Sequence, residues 1–293
     1  MMTVKSTCCY CGTGCGVEID VDHGQVLAVR GDPEHPANFG RLCTKGLTLA
    51  HTLHADSRLA EPRLRPGRLG SGQAVSWDVA LDTVSERLAA IIAEHGPESV
   101  AFYLSGQMLT EDYYVYNKLA RGLIGTPHVD TNSRLCMSSA VTGYKLALGA
   151  DAPPCSYEDF DHADCVLIAG SNMAYAHPVL FRRLEAARAA NPKMKLIVVD
   201  PRRTDTAASA DLHLAIQPGT DVALFNGMLH ALIWDDQLDR DFINAHTEGF
   251  AELRHAVREY TPKMAADICG ISEEALLTAA RWFGEAGAAL SLW

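Results

Sequence analysis

The chain has 293 residues, 48% of them hydrophobic, with a formal charge of −11 and a pI near 5.5. That is enough apolar material for a large core spread over two or three domains, and the acidic balance excludes nucleic acid or an anionic membrane as the main partner, because both would repel such a surface. No apolar run reaches the roughly 20 residues of a bilayer-spanning helix.

The opening Met1-Met2-Thr3-Val4-Lys5-Ser6 leads into the first cysteines without room for an export signal, so a soluble cytoplasmic protein is expected. There its nine cysteines would stay reduced or bind metal. The run Cys8-Cys9-Tyr10-Cys11-Gly12-Thr13-Gly14-Cys15 is followed, after 27 intervening residues, by Cys43-Thr44-Lys45-Gly46. Three thiols in one tight loop and a fourth returning after a two-strand excursion can wrap a compact tetrahedral centre. The pattern reads as an iron–sulfur site with ligands Cys8, Cys11, Cys15 and Cys43. Cys9 adjoins Cys8, so its side chain is expected to point away. A four-cysteine zinc site would pair its ligands in two matched short spacings, which this three-plus-one set does not. The closeness of Cys8 and Cys11 and the expected compartment speak against a disulfide reading.

Residues 17–21 and 25–30 alternate apolar and polar around Asp22-His23-Gly24 and predict an antiparallel hairpin between the third and fourth cysteines. From Asp56 to Gly72 the Pro, Arg and Gly content marks a linker. Ser76 is placed to cap a helix with Val79, Val84, Leu88 and Ile91 on its inner stripe, ending at Gly96-Pro97. A short buried strand is predicted over 100–104. Helix-like and strand-like segments then alternate: 113–123, 136–148, 165–169, 179–190, 196–199, 212–216 and 222–233, with a further helical run over 272–287. Strands separated by helices of this length call for a doubly wound, Rossmann-like parallel sheet in an α/β fold. The last residues, Ala288-Ala289-Leu290-Ser291-Leu292-Trp293, are strand-like and stop without a turn, which suggests a piece of a longer polypeptide.

In such sheets ligands collect at the carboxyl ends of the strands. Three loops there carry suggestive groups. Gly170-Ser171-Asn172-Met173, with His177-Pro178 after it, offers a glycine, a hydroxyl and an amide for a phosphate or pterin. Asp200-Pro201-Arg202-Arg203-Thr204 pairs a carboxylate suited to ribose hydroxyls with guanidiniums suited to pyrophosphate. Gln217-Pro218-Gly219-Thr220-Asp221 carries a carboxylate able to accept from a guanine's ring N–H and amino group. Singly, each could be an ordinary turn, cap or solvated charge.

Taken together, the cysteine set with Lys45, the segment Asn132-Ser133-Arg134-Leu135-Cys136-Met137-Ser138-Ser139-Ala140-Val141, and the first two of these loops resemble the molybdopterin oxidoreductases, and within them the catalytic subunits of cytoplasmic assimilatory nitrate reductases. The resemblance runs from the first cysteine to Trp293 and implies the amino-terminal portion of a longer chain. It implies a small β-rich [4Fe–4S] domain over 1–55, the first part of a discontinuous α/β domain over 56–135, and a Rossmann-like molybdopterin guanine dinucleotide-binding domain over 136–293. Cys136 would bind molybdenum as a soft thiolate, with Met137 beside it. Lys45 would lie between cluster and pterin. Asn172, His177, Asp200, Arg202, Gln217 and Asp221, in loops that also hold Gly170, Ser171, Thr204 and Gly219, would bind one arm of a bis-molybdopterin guanine dinucleotide, and Gly106-Gln107 the other. Arg134 would draw in an anion or form a salt bridge.

The implied reaction is oxygen-atom transfer from nitrate, with electrons passing through the [4Fe–4S] cluster from ferredoxin, flavodoxin or an NADH-oxidising flavoprotein subunit. Formate dehydrogenases place a histidine after the metal-binding residue, where this chain has Met137, and a thioether moves no proton. Periplasmic nitrate reductases carry a twin-arginine leader, which does not stand here. A cluster-bearing scaffold subunit without molybdenum would lack Cys136 and the dinucleotide loops. Cys155, Cys165 and Cys269 are expected to be buried packing residues.

Overall fold

The computed structural model describes residues 1–53 and 58–293. The chain divides into two compact units, Met1–Pro154 and Cys155–Trp293. The start of the expected linker at Asp56, and the expected boundary beside it, lie outside the described residues.

In the first unit, β1 (Met2–Thr7), β2 (Gly16–Asp22) and β3 (Gln25–Gly31) form an antiparallel sheet in that order. The hairpin expected from sequence is β2–β3, and its two-residue turn has His23 at φ 49° and Gly24 at φ 78°, the paired left-handed conformations of a type I′ turn. β1 is additional to the expected elements. It pairs with β2 from Met2↔Val21 to Thr7↔Gly16, and this carries the chain to Cys8 at one end of the sheet. After it come α1 (Thr44–Leu47), a 3-10 turn at Leu49–Leu53, and a short hairpin of β4 (Arg63–Leu64) with β5 (Gln73–Ala74).

α2 (Trp77–His95) is capped by Ser76, whose hydroxyl accepts from the Val79 N–H at 3.3 Å, and it ends at Gly96 with φ 81°. The expected inner stripe is not buried: Val79 is 48% exposed and Val84 53%, and no residue of α2 is buried. A 3.6-residue period establishes a helix with an apolar face, but it cannot say what covers that face. The strand expected over 100–104 is likewise less buried than its apolar run implied. β6 (Phe102–Leu104) pairs in parallel with β7 (Val129–Thr131), but Tyr103 is 69% exposed and only Val100 of that run is buried. Between them, α3 (Thr110–Asn117) runs into a π-helical stretch, Lys118–Ile124, closed by left-handed Gly125. The single helix expected over 136–148 is two: α4 (Ser133–Cys136) and α5 (Ser138–Leu148), broken at Met137.

The second unit comprises α6 (Asp159–His162), β8 (Cys165–Ala169), α7 (Met173–Ala176), α8 (Pro178–Ala190), β9 (Lys195–Val199), α9 (Asp205–Ala208) and β10 (Leu212–Leu214). It continues through α10 (Asp221–Trp234), α11 (Arg240–His246), α12 (Phe250–Ala256), α13 (Pro262–Cys269), α14 (Glu273–Gly284) and β11 (Ala289–Leu292). The four strands are parallel in the order β10-β9-β8-β11, so the direction of winding reverses between β8 and β11. Alternate residues of the strands serve opposite faces. Cys165, Leu167, Ile197 and Val199 pack with Leu224 and Met228 of α10, Ala265 of α13 and Leu276 of α14. Val166, Ile168, Leu196 and Val198 pack with Leu180, Phe181 and Leu184 of α8. Burial on both faces explains why β8 and β9 read as unbroken apolar runs.

Candidate functional site

The first unit gathers the cysteine quartet. Cys8 leaves β1 and Cys15 enters β2, and the Cys8 N–H donates to the Cys15 carbonyl at 2.8 Å, which closes the loop that also holds Cys11. Cys43 stands at the amino end of α1, its carbonyl accepting from the Leu47 N–H at 3.0 Å. Burial pushes the Cys15 thiol up to about 11, and the nearby Cys11, Cys8 and Cys43 add to the shift. Cys8 is raised as well, again first by burial and then by Cys9, Cys11 and Cys43, against the lowering effect of a hydrogen bond from the Tyr10 backbone. Cys8 and Cys15 thus each stand close enough to the other thiols of the set to be affected by their charge. A cationic metal core is what reverses that repulsion, so the donor set fits a cluster. Cys9 is exposed. Among the described residues no three His, Cys, Asp or Glu side chains are grouped to hold a single metal ion.

Asn38 joins the two halves of the quartet, and sequence reasoning missed it. Its side chain is 2% exposed. Its Oδ1 accepts from the N–H of Gly16, next to Cys15, at 2.8 Å, and its Nδ2 donates to the carbonyls of Gly16 at 3.1 Å and Arg41, two residues before Cys43, at 2.9 Å. Gly31 and Gly40 make the same return path possible, since a Cβ on Gly31 would stand 2.1 Å from the Gly40 carbonyl oxygen. Lys45 is exposed on α1, two residues from Cys43.

Cys136 is exposed at the end of α4. Arg134 is committed to Asp130, with Nε donating to Oδ2 at 3.0 Å. A backbone hydrogen bond from Thr131, then Arg134, hold the Asp130 carboxyl below its ordinary range. Gly106 and Gln107 follow β6 and tie this segment to the cluster loop. The Gly106 N–H donates to Asn132 Oδ1, at the start of α4, and Gln107 Nε2 donates to the Tyr10 carbonyl at 3.3 Å. A Cβ on Gly106 would meet Ser133 Oγ at 2.3 Å and Asn132 Oδ1 at 2.9 Å, so a side chain there would displace the hydroxyl and the amide that now pack against the glycine.

In the second unit the three expected loops leave the carboxyl ends of β8, β9 and β10, so they share one edge of the sheet. The β8 loop borders the reversal between β8 and β11, the position where open α/β sheets form a ligand crevice. Gly170 turns there with φ 65°, its N–H bonded to the Val199 carbonyl at 2.9 Å. Ser171 and Asn172 are half-buried, and His177 is exposed at the start of α8.

Asp200 is 7% exposed, with Oδ1 accepting from the Arg202 N–H at 2.8 Å. Arg202 itself is exposed. The Thr204 hydroxyl caps α9, accepting from the Ala207 N–H at 3.2 Å, so its structural duty is set. In the third loop Gln217 and Gly219 are exposed, Gly219 in the left-handed region at φ 86°, and Asp221 opens α10.

Cys165 and Cys269 are buried as expected, whereas Cys155 is exposed, a correction: it lies in an irregular polar stretch with no strand or helix to cover it. No helix among the described residues is long and apolar enough to cross a membrane.

Residues 1–55 match the molybdopterin oxidoreductase Fe4S4 domain, and residues 58–260 match the molybdopterin oxidoreductase family. A nitrate reductase of Klebsiella oxytoca is 47% identical over all of this chain and 33% of its own length. One from Synechocystis is 44% identical over 99% of this chain and 42% of its own. The alpha subunit of an F420-dependent formate dehydrogenase from Methanococcus maripaludis is 38% identical over 99% of this chain and 42% of its own. The chain thus spans about a third to two fifths of the curated relatives it matches. Among solved structures, acetylene hydratase from Pelobacter acetylenicus superposes with a TM-score of 0.87 at 29% identity, over 99% of this chain and 40% of that one. The family's groups are a molybdenum–molybdopterin cofactor and a [4Fe–4S] cluster. One family accounts both for the convergent thiols at the amino terminus and for the α/β portion as far as Tyr260, and the chain belongs to the molybdopterin oxidoreductases.

Proposed function

We propose that this chain is the amino-terminal portion of a cytoplasmic molybdenum enzyme that reduces nitrate to nitrite, with electrons arriving through a [4Fe–4S] cluster from ferredoxin, flavodoxin or a flavoprotein subunit. The observation that carries the choice of substrate is Met137 directly after Cys136, where a proton-handling side chain is absent, alongside nitrate reductase relatives at 47% and 44% identity. When bound, the molybdenum cofactor supplies oxygen-atom transfer and the cluster supplies one-electron relay. The residues of this chain hold and position. Cys8, Cys11, Cys15 and Cys43 are the cluster thiolates, and Cys136 is the thiolate for molybdenum. The Asn172, Asp200 and Asp221 loops take a guanine dinucleotide arm: the Asp200 carboxylate, already ordered by the Arg202 N–H, suits a ribose hydroxyl, and Arg202 a pyrophosphate. Lys45, exposed beside Cys43, places a cation next to the cluster.

The test uses the full-length protein purified with its cofactors and reduced by a viologen dye. Nitrite formation with no formate oxidation is expected, and a Cys136→Ala variant that keeps the iron but loses turnover supports the assigned thiolate. Formate oxidation without nitrate reduction overturns the substrate, and undiminished turnover by Cys136→Ala overturns the metal ligand.

A further inference from the structure

Thr206, in α9, is fully buried and reaches across to the β8 loop. Its hydroxyl accepts from the Ala174 backbone N–H at 2.9 Å and donates to Asn172 Oδ1 at 3.0 Å. A backbone N–H only donates, and a hydroxyl oxygen could accept a second bond as well; but Asn172 is the one other partner of this fully buried hydroxyl among the described residues, so the arrangement that leaves its proton bonded sends it to the oxygen of that amide. The flip of Asn172, otherwise a free choice between oxygen and nitrogen, is thereby decided. Its NH2 group is left facing away from Thr206, and no protein acceptor is bonded to it among the described residues.

We infer that Thr206 is a positioning residue: it holds Asn172 as a pure hydrogen-bond donor toward an acceptor oxygen of the bound nucleotide, on the phosphate or the ribose. This rests on the reading that the β8 loop binds the dinucleotide arm. It explains why a fully buried position in α9 carries a hydroxyl. Thr206 adjoins Ala207, which belongs to the core cluster packed under β8 and β9. A buried hydroxyl there is tolerated because both of its bonding roles are filled. The link also couples two strand ends, since Asn172 follows β8 and Thr206 follows β9.

The experiment measures GDP binding to the 293-residue chain by calorimetry, beside thermal unfolding, for the unaltered protein and for Thr206→Ser, Thr206→Val, Thr206→Cys and Asn172→Asp. Thr206→Ser keeps the hydroxyl and should bind as the unaltered chain does. Thr206→Val removes it at equal volume and should weaken GDP by about tenfold, the effect of one lost well-placed donor. Thr206→Cys, a poor donor, should weaken it in the same direction and serves if the valine variant does not fold. Asn172→Asp turns the donor into an acceptor and should weaken GDP at least as much. If Asn172→Asp weakens binding while Thr206→Val and Thr206→Cys leave it unchanged, the positioning role is refuted and the loop assignment stands. If Asn172→Asp has no effect, or the unaltered chain fails to bind GDP at millimolar concentration, the loop assignment falls and the inference with it.

Discussion

Replacing Asn38 by alanine should break the iron–sulfur site without touching a ligand. The side chain makes three buried contacts, with the Gly16 N–H, the Gly16 carbonyl and the Arg41 carbonyl. At a net ~1 kcal/mol each, their loss amounts to about 3 kcal/mol. The Gly16 carbonyl keeps a second donor, the Asp32 N–H at 3.0 Å. The Gly16 N–H has no such alternative, and stranding it adds about 1–3 kcal/mol unless water enters. The penalty falls where it matters: Gly16 follows Cys15, and Arg41 lies on the approach to Cys43. An opening favoured by about 3 kcal/mol raises the population of the separated state on the order of a hundredfold. Iron and acid-labile sulfide per chain, measured after anaerobic reconstitution with the visible charge-transfer band followed alongside, should drop well below the unaltered level. Asn38→Asp should do no better, because it sets an oxygen against two carbonyls. Full iron content and an unshifted melting temperature in Asn38→Ala would refute the clamp.

Gly227→Ala should destabilise the second unit by about 1–3 kcal/mol in a denaturant melt, because the added Cβ would stand 2.4 Å from Ala265 Cβ where α10 crosses α13. Asp161→Ala removes both carboxylate oxygens that hold the guanidinium of Arg183, which is 7% exposed, and should lower stability by about 1–3 kcal/mol; Asp161→Glu should recover part of it. In the first unit, the Thr3 hydroxyl at 2.7 Å and then Arg30 hold the Asp20 carboxyl below its ordinary range. A carboxyl with a lowered folded pKa stabilises fully above its unfolded pKa, and that contribution disappears as pH falls through the folded value. Circular dichroism melts should therefore show acid loss of the β1–β3 sheet below roughly pH 4, and Asp20→Asn should flatten that dependence.

Much of the second unit was legible because both faces of its sheet are covered: β8 and β9 had to be continuous apolar runs, and the Gly170, Asp200 and Gln217 loops had to sit at their ends. The segment over 288–293, read as strand-like, is β11, and only the fold shows that it lies parallel to β8 and creates the reversal beside Asn172. That residues 1–55 form an Fe4S4 domain was legible from the cysteine spacing. β1 was not, because all six of its residues are exposed and its alternation, Met2-Thr3-Val4-Lys5, stops after two apolar positions. The stripe on α2 was legible but its exposure was not, since periodicity names a face and not its partner. Asn38 and Thr206 were invisible for a common reason. A buried polar residue reveals itself only through the groups it satisfies, and those stand 22 and 34 positions away along the chain.

Whether Cys8, Cys11, Cys15 and Cys43 hold iron is read from metal and sulfide analysis of the anaerobically purified protein, combined with an electron paramagnetic resonance spectrum after reduction. About four iron per chain and the signal of a reduced [4Fe–4S] cluster are expected, both lost in a Cys15→Ser or Cys43→Ser variant, with molybdenum near one per chain in the full-length protein. Stoichiometric zinc in place of iron, or iron retained undiminished without Cys15 and Cys43, would contradict the iron–sulfur assignment.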